Sequence, residues 1–361
     1  MEPLKYMFTP NVVKAISVAV KEYYPSFDAT GFEKSVLDDT WSDLELKARI
    51  AHITQNLRRF MSNNVPEALK VIEKVSKALP SGFEQITLPT FVEFYGLEHF
   101  EDSMRTMKSI TAGSTCEFAI RQFLKAQPTK TLAIMKKWTS DKNEHVRRLA
   151  SEGCRPRLPW GGNFQLAIEN PNPIVEILEL LRADESLYVR KSVANNLNDI
   201  SKDHPELVLE IAERWLEEDN KHTTWIVKKA LRSLLKNAHP RALELFGYGN
   251  PNQVLIEALK LIKHDVKIGG KLHFKFECIN NSIRSEKIRL EYLITYVNKT
   301  GQATKVFQIS EMEMVAKESR TFKKYQSFAD MSTRKHHPGE HKLAIRINGV
   351  IKSEVNFTVI K

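Results

Sequence analysis

The sequence predicts an α-helical repeat solenoid followed by a small all-β sandwich, and three observations predict it. From Thr9 to about Gly249 apolar residues recur every three or four positions between helix-start signals, and strand signals are scarce. Within that stretch three segments resemble one another at a spacing of about 40 residues. After Asn250-Pro251 the apolar period falls to two. The 361 residues suffice for about two domains, here 1–252 and 253–361.

The helical part is punctuated by prolines at first turns: Val65-Pro66-Glu67, Gln127-Pro128-Thr129, Asn172-Pro173-Ile174, His204-Pro205-Glu206 and His239-Pro240-Arg241. Proline suits that position, because the N–H it lacks has no partner within the helix. The repeated segments are His145-Val146-Arg147-Arg148, Tyr188-Val189-Arg190-Lys191 and Ile226-Val227-Lys228-Lys229. They read as the second helices of successive HEAT-like pairs, which stack because no pair buries its apolar face alone. A plain helical bundle is the other architecture this pattern allows.

Alternation then marks half-buried strands at 272–276, 288–292 and 343–347. Ile347-Asn348-Gly349-Val350 predicts a two-residue hairpin, since a type I′ turn needs positive φ at both central residues. About seven strands in this length fit an immunoglobulin-like sandwich without the cysteine pair of antibody domains.

Charge is unevenly placed. The chain carries a formal net charge of +10, and residues 253–361 hold 20 Lys+Arg against 11 Asp+Glu, so nearly all the excess sits there. A basic appendage on a nearly neutral body predicts an anionic partner such as nucleic acid. Its most basic loop is Arg334-Lys335-His336-His337-Pro338-Gly339, with His341 nearby; the absence of carboxylate or Cys partners at ligand spacing argues against a metal there. Three scattered cysteines give neither a disulfide framework nor a CxxC pair, which points to a reducing compartment. No run of about 18 apolar residues and no basic-then-apolar leader occur, so a cytoplasmic protein, with no membrane partner, is expected.

The repeated helices also carry a polar stripe. Counting from each repeated valine, positions zero, +4 and +8 are apolar and face the core, as in Val189, Val193 and Leu197. Positions +2, +6 and +10 carry Arg148 and Glu152, then Lys191, Asn195 and Asp199, then Lys229, Ser233 and Asn237. Stacked repeats keep their orientation, so Glu152 and Asp199 would converge on one cleft wall flanked by cations. The plainer reading is a solvated face with intrahelical pairs such as Arg148–Glu152, each contributing ~0.3–0.5 kcal/mol. Glu117 likewise has a local reading, the end of a Ser114-Thr115-Cys116-Glu117 capping box.

The least ordinary stretch runs from Ala150 to Gly162 and contains Arg155-Pro156-Arg157-Leu158-Pro159-Trp160. Its prolines stop a helix and its glycines permit close approach. Two arginines and a tryptophan on such a loop suit phosphates and an aromatic contact. A structural crossover with Trp160 packed on the core is the alternative.

This loop, the following Ser192-Val193-Ala194-Asn195-Asn196-Leu197-Asn198-Asp199-Ile200-Ser201-Lys202, and the Trp225 to Leu235 helix together resemble the AlkC branch of the HEAT-like alkylpurine DNA glycosylases. The resemblance spans essentially the whole chain, including an immunoglobulin-like domain found in part of that branch. It implies base-excision removal of cationic alkylated bases, chiefly 3-methyladenine and also 3-methylcytosine, from double-stranded DNA, by a monomer with no cofactor that associates with the nucleoid when bound. It implies Glu117, Glu152 and Asp199 as the catalytic carboxylates and Trp160 as the substrate-binding aromatic wall. Arg148, Arg155, Arg157, Lys228, Lys229 and Arg232 become the candidate DNA contacts. The DNA-facing aromatic of AlkD-type relatives is absent here, and Arg232 stands near its place.

An already cationic base needs no strong acid to leave, so the chemical burden falls on the sugar. A carboxylate beside C1′ stabilises the oxocarbenium-like transition state and positions water. The competing function is a non-catalytic HEAT scaffold that binds nucleic acid or protein. Both predict salt-sensitive DNA binding, whereas only the first predicts base release.

Overall fold

The computed structural model describes residues 3–299, 301–331 and 335–361. A mostly helical HEAT-like region is followed by an immunoglobulin-like β-region, and the chain divides into two compact units, Met1–Ala230 and Leu231–Lys361. Strands of the second unit begin at Val254, after the short helices Arg232–Lys236 and Pro240–Leu245.

All five proline signals open helices, at Val65–Ala78, Pro128–Trp138, Asn172–Leu180, Pro205–Leu216 and Pro240–Leu245. The three repeated segments lie on the helices Glu144–Glu152, Leu187–Ile200 and Lys221–Ala230. Val146, Val189, Val193, Leu197 and Val227 are buried, as the period requires. The first arginine of each Val-Arg motif is structural. Arg147 donates to the carbonyls of Asp141 and Lys142, and Arg190 to those of Asp184 and Glu185, tying each helix to the turn before it. Arg147 also pairs bidentately with Asp184 of the next repeat, at 2.7 and 3.0 Å.

Two sequence expectations change. The segment from Trp225 to Leu235 is not one helix, because Leu231 leaves helical geometry between Ala230 and Arg232. The Ser114–Glu117 segment forms no capping box: the helix starts later, at Ala119, and the Glu117 N–H donates to Thr115 Oγ1 rather than to Ser114. The hydroxyl and amide that a box would use are thus four residues too early for that helix, whose N-cap is Phe118.

In the second unit a five-stranded sheet has the spatial order Asp265–Lys267, Val350–Ile360, Gly339–Ile347, Glu286–Asn298 and Gly301–Met314. Against it stands a three-stranded sheet ordered Val254–Leu261, Lys271–Asn280 and Ser319–Ser327. Phe274, Phe276, Ile294, Phe328, Ile345 and Phe357 belong to the core of this unit. The Asn-Gly hairpin forms as read, with Asn348 at φ 45° and Gly349 at φ 84°. Arg346 pairs with buried Glu291 and donates to the Lys236 carbonyl, while Asn348 donates to Gly249. These bonds tie the short helices and their connection to the β-sheet. His336 of the basic loop and the nearby strand residue His341 are buried against Tyr296 and Phe328; Arg334 lies outside the described residues. No helix among the described residues is long and apolar enough to cross a membrane.

Candidate active site

The three carboxylates singled out in the sequence come together through arginines, in one alternating ladder. Glu152 ends the Glu144–Glu152 helix, and Arg148 lies one turn before it on the same face. Arg148 Nη1 meets Glu117 Oε2 at 2.5 Å and Nη2 meets Glu152 Oε1 at 3.4 Å. Its Nη1 also donates to Thr115 Oγ1, whose hydroxyl donates to Glu117. One repeat on, Arg155 donates Nη1 to Glu152 Oε1 at 2.7 Å, and Nη2 and Nε to Asp199 Oδ2 at 2.8 and 2.9 Å. The ladder ends with Lys202 Nζ, 2.9 Å from Asp199 Oδ1. The Arg148–Glu152 contact is therefore one rung of a cross-repeat network and not an isolated surface pair.

The motif around Asp199 keeps that network in register. Asn196 donates to the carbonyl of Ser151, the residue before Glu152, at 2.8 Å, and Ser192 Oγ bonds Ser151 Oγ. Asn198 points to the next repeat and donates to the Ala230 carbonyl at 2.8 Å. Alternate asparagines thus clamp the helix carrying Asp199 to its neighbours on either side. Buried amides paired in this way impose a single register, because slippage would leave them unsatisfied.

The polar stripe predicts an open cleft wall for these groups, yet only 8% of the Glu152 side chain and 4% of that of Asp199 are exposed. Their enclosing arginines are nearly as buried, Arg155 at 9% and Arg148 at 14%. Burial acts to lower the Arg155 pKa, and the charges of Glu152 and Asp199 more than offset it, leaving the guanidinium firmly protonated. Tyr188 lies over the network with its ring 5.0 Å from the Arg148 guanidinium, and burial pushes its phenol pKa up.

Arg157, two residues beyond Arg155, is more exposed and makes a bidentate pair with Asp203. Hydrogen bonding from Arg157 holds the Asp203 carboxyl below its ordinary range. Trp160 sits at the tip of a small hairpin formed by Arg157–Leu158 and Gly162–Asn163. Its backbone is left-handed at φ 65°, which costs an ordinary residue about 1–2 kcal/mol, and its side chain is exposed rather than packed on the core. It borders a cavity of about 220 Å³ whose wall includes Ile50, Phe94, Phe118 and Arg121.

Arg121 is a residue that sequence reasoning misses. It is buried, and its guanidinium donates to the carbonyls of Gly153, Arg155 and Gly162 at 3.3, 2.6 and 2.7 Å. It therefore pins both ends of the segment bearing Arg155 and Trp160. Burial lowers its pKa, and its hydrogen bonds go to carbonyl dipoles. No spacing rule reveals it, because its partners lie 32, 34 and 41 residues away. Of the remaining predicted cations, Lys228 and Lys229 are exposed on the Lys221–Ala230 helix, and Arg232 belongs to the second unit.

Helical repeats that assemble carboxylates from successive turns, followed by an immunoglobulin-like domain, define a recognisable class of protein. Residues 68–234 match the family model described as DNA alkylation repair enzyme, and residues 255–361 match the C-terminal Ig-like domain of the uncharacterised protein YhaZ. YhaZ of Bacillus subtilis is 41% identical over 360 residues, covering 99% of this chain and all of that protein. The solved structure of the Pseudomonas fluorescens alkylpurine DNA glycosylase AlkC, bound to DNA containing an abasic site analogue, is 38% identical and superposes with a TM-score of 0.95 over the whole of both chains. The chain belongs to the DNA alkylation repair enzyme family, in the form that carries the YhaZ-type Ig-like domain.

Proposed function

We propose that this protein is a DNA glycosylase that hydrolyses the N-glycosidic bond of cationic alkylated bases, 3-methyladenine foremost and 3-methylcytosine next, in duplex DNA. The observation that carries this reading is the ladder itself: three carboxylates on successive repeats, each held by a cation. It is supported by full-length similarity to AlkC, a protein whose solved complex contains DNA.

As the bond from C1′ to the base breaks, its electron pair passes to the base nitrogen. The alkylated base leaves neutral, and the positive charge moves to the sugar. Water then adds to C1′ and gives a proton to a carboxylate. Asp199 and Glu152, held by the same guanidinium, stabilise the developing cation and align the water; Glu117 extends the negative wall through Arg148. Because the arginines hold the carboxylates in place beforehand, little reorganisation is needed during reaction. Trp160 supplies an exposed aromatic face toward a cationic base. Arg148 and Arg155 act through the carboxylates. Phosphate contacts are assigned to Arg157, Lys228, Lys229 and Arg232, and the basic region 253–361 adds a second grip on the duplex.

The test is to incubate the full chain with methylated duplex and measure free bases by mass spectrometry. Release of 3-methyladenine with matching abasic sites is the expected result; DNA binding without release would leave a scaffold.

A further inference from the structure

The two oxygens of Asp199 are held by cations of very different kinds. Oδ2 receives two N–H bonds from Arg155, a buried guanidinium that is also fixed by Glu152 and whose main-chain carbonyl is held by Arg121. Oδ1 receives the ammonium of Lys202 at 2.9 Å. Lys202 stands on the turn that follows the Leu187–Ile200 helix, and 45% of its side chain is exposed against 4% for Asp199. The neighbouring Asp203 is engaged by Arg157.

We propose that Lys202 is a displaceable counterion. In the free protein it neutralises Asp199 Oδ1; when the duplex binds, its ammonium moves to a backbone phosphate, and the oxygen it leaves faces the sugar carbon that becomes cationic. The inference rests on the glycosylase reading and sharpens it by naming the oxygen that acts. A nearly buried carboxylate needs a cation beside it at every stage. Lysine fills that need before binding, and the oxocarbenium-like sugar fills it in the transition state.

Lys202 suits exchange where Arg155 does not. It is a hydrated point charge on a flexible stem, whereas Arg155 forms a fork across two carboxylates. A half-exposed lysine pair contributes little net stability, so a phosphate of equal charge competes with Asp199 on even terms. Removing either arginine from the ladder would instead strip a buried carboxylate of its partner.

The experiment uses the full chain with Lys202→Met and Lys202→Arg. Binding to a duplex carrying an uncleavable abasic-site analogue is followed across salt concentrations, and single-turnover release of 3-methyladenine is measured at saturating protein. For Lys202→Met the slope of log affinity against log salt should become shallower by about 0.9, the signature of one lost phosphate contact, with Lys202→Arg restoring it. Affinity should fall while the release rate at saturation rises about two-fold, because an even exchange leaves Oδ1 covered in about half of the parent's bound complexes. A merely structural lysine would not move these two quantities in opposite directions. An unchanged slope in Lys202→Met, or a loss of release as deep as that of Asp199→Asn, would overturn the exchange while leaving the glycosylase reading intact. Absence of base release from the unsubstituted protein would overturn the reading itself.

Discussion

Replacing Asp199 by asparagine removes one negative charge with almost no change of shape. The aspartate accepts three charge-assisted hydrogen bonds, from Arg155 Nε at 2.9 Å, Arg155 Nη2 at 2.8 Å and Lys202 Nζ at 2.9 Å. The asparagine carbonyl can keep the two from Arg155, but its amide nitrogen must then face the Lys202 ammonium, donor against donor. A half-exposed lysine pair contributes ~0.2–1 kcal/mol, so losing it lowers stability by about that amount without unfolding the helical unit. The kinetic loss is larger than a packing defect would give. Removing one preorganised group that stabilises transition-state charge costs ~2.7–4 kcal/mol, or about 10²–10³ in rate. The assay is single-turnover release of 3-methyladenine from methylated duplex, with thermal melting and duplex affinity measured on the same preparation. Slow release at unchanged or slightly higher affinity is expected, since the substitution removes negative charge facing an anionic ligand. A lowered melting temperature with a rate equal to that of the parent would make Asp199 a structural anchor only.

Arg121→Met keeps side-chain bulk but leaves three carbonyls of the 153–162 segment without their donor; it should lower the release rate more than duplex affinity, and its effect should shrink in an Asp199→Asn background, as a double-mutant cycle reads directly. Arg155→Lys retains charge but cannot hold Glu152 and Asp199 with one planar fork, so both stability and release should fall, as calorimetry and kinetics will report. Asp203 is held by Arg157 below its ordinary value of 3.8, so the unfolded chain binds that proton more tightly than the folded one. The stabilisation is complete above the unfolded value and disappears as pH falls through the lowered folded value. Asp203→Asn should therefore lower the melting temperature at neutral pH and flatten its acid decline, as melting curves taken across that range will show.

What the sequence made legible was mostly local. Proline at a first turn, valine every fourth residue and Asn-Gly between alternating strands act within a few positions, and each produced the element it announced. The +2, +6, +10 stripe also pointed to Glu152 and Asp199, because stacked repeats keep their faces aligned. It did not reveal that the cations on that face lie between the carboxylates and cover them. Arg148 could be read as an i,i+4 partner of Glu152, but its shorter contact is to Glu117, 31 positions earlier in the chain. Arg121 was silent for the same reason: a buried arginine bonded to distant carbonyls leaves no trace in periodicity or composition. Trp160 needed the hairpin, since its exposure belongs to the left-handed tip of a turn that helical periodicity does not describe. The third repeat broke at Leu231 although its apolar spacing continued, because spacing records which face is buried and not whether the helix is continuous.

The variant Glu117→Gln/Glu152→Gln/Asp199→Asn preserves the shape of the ladder while discharging it, and its release of 3-methyladenine from methylated duplex is compared with that of the parent chain. The folded triple variant should still bind duplex but release no base above the spontaneous rate. Undiminished release would place the chemistry elsewhere in the molecule.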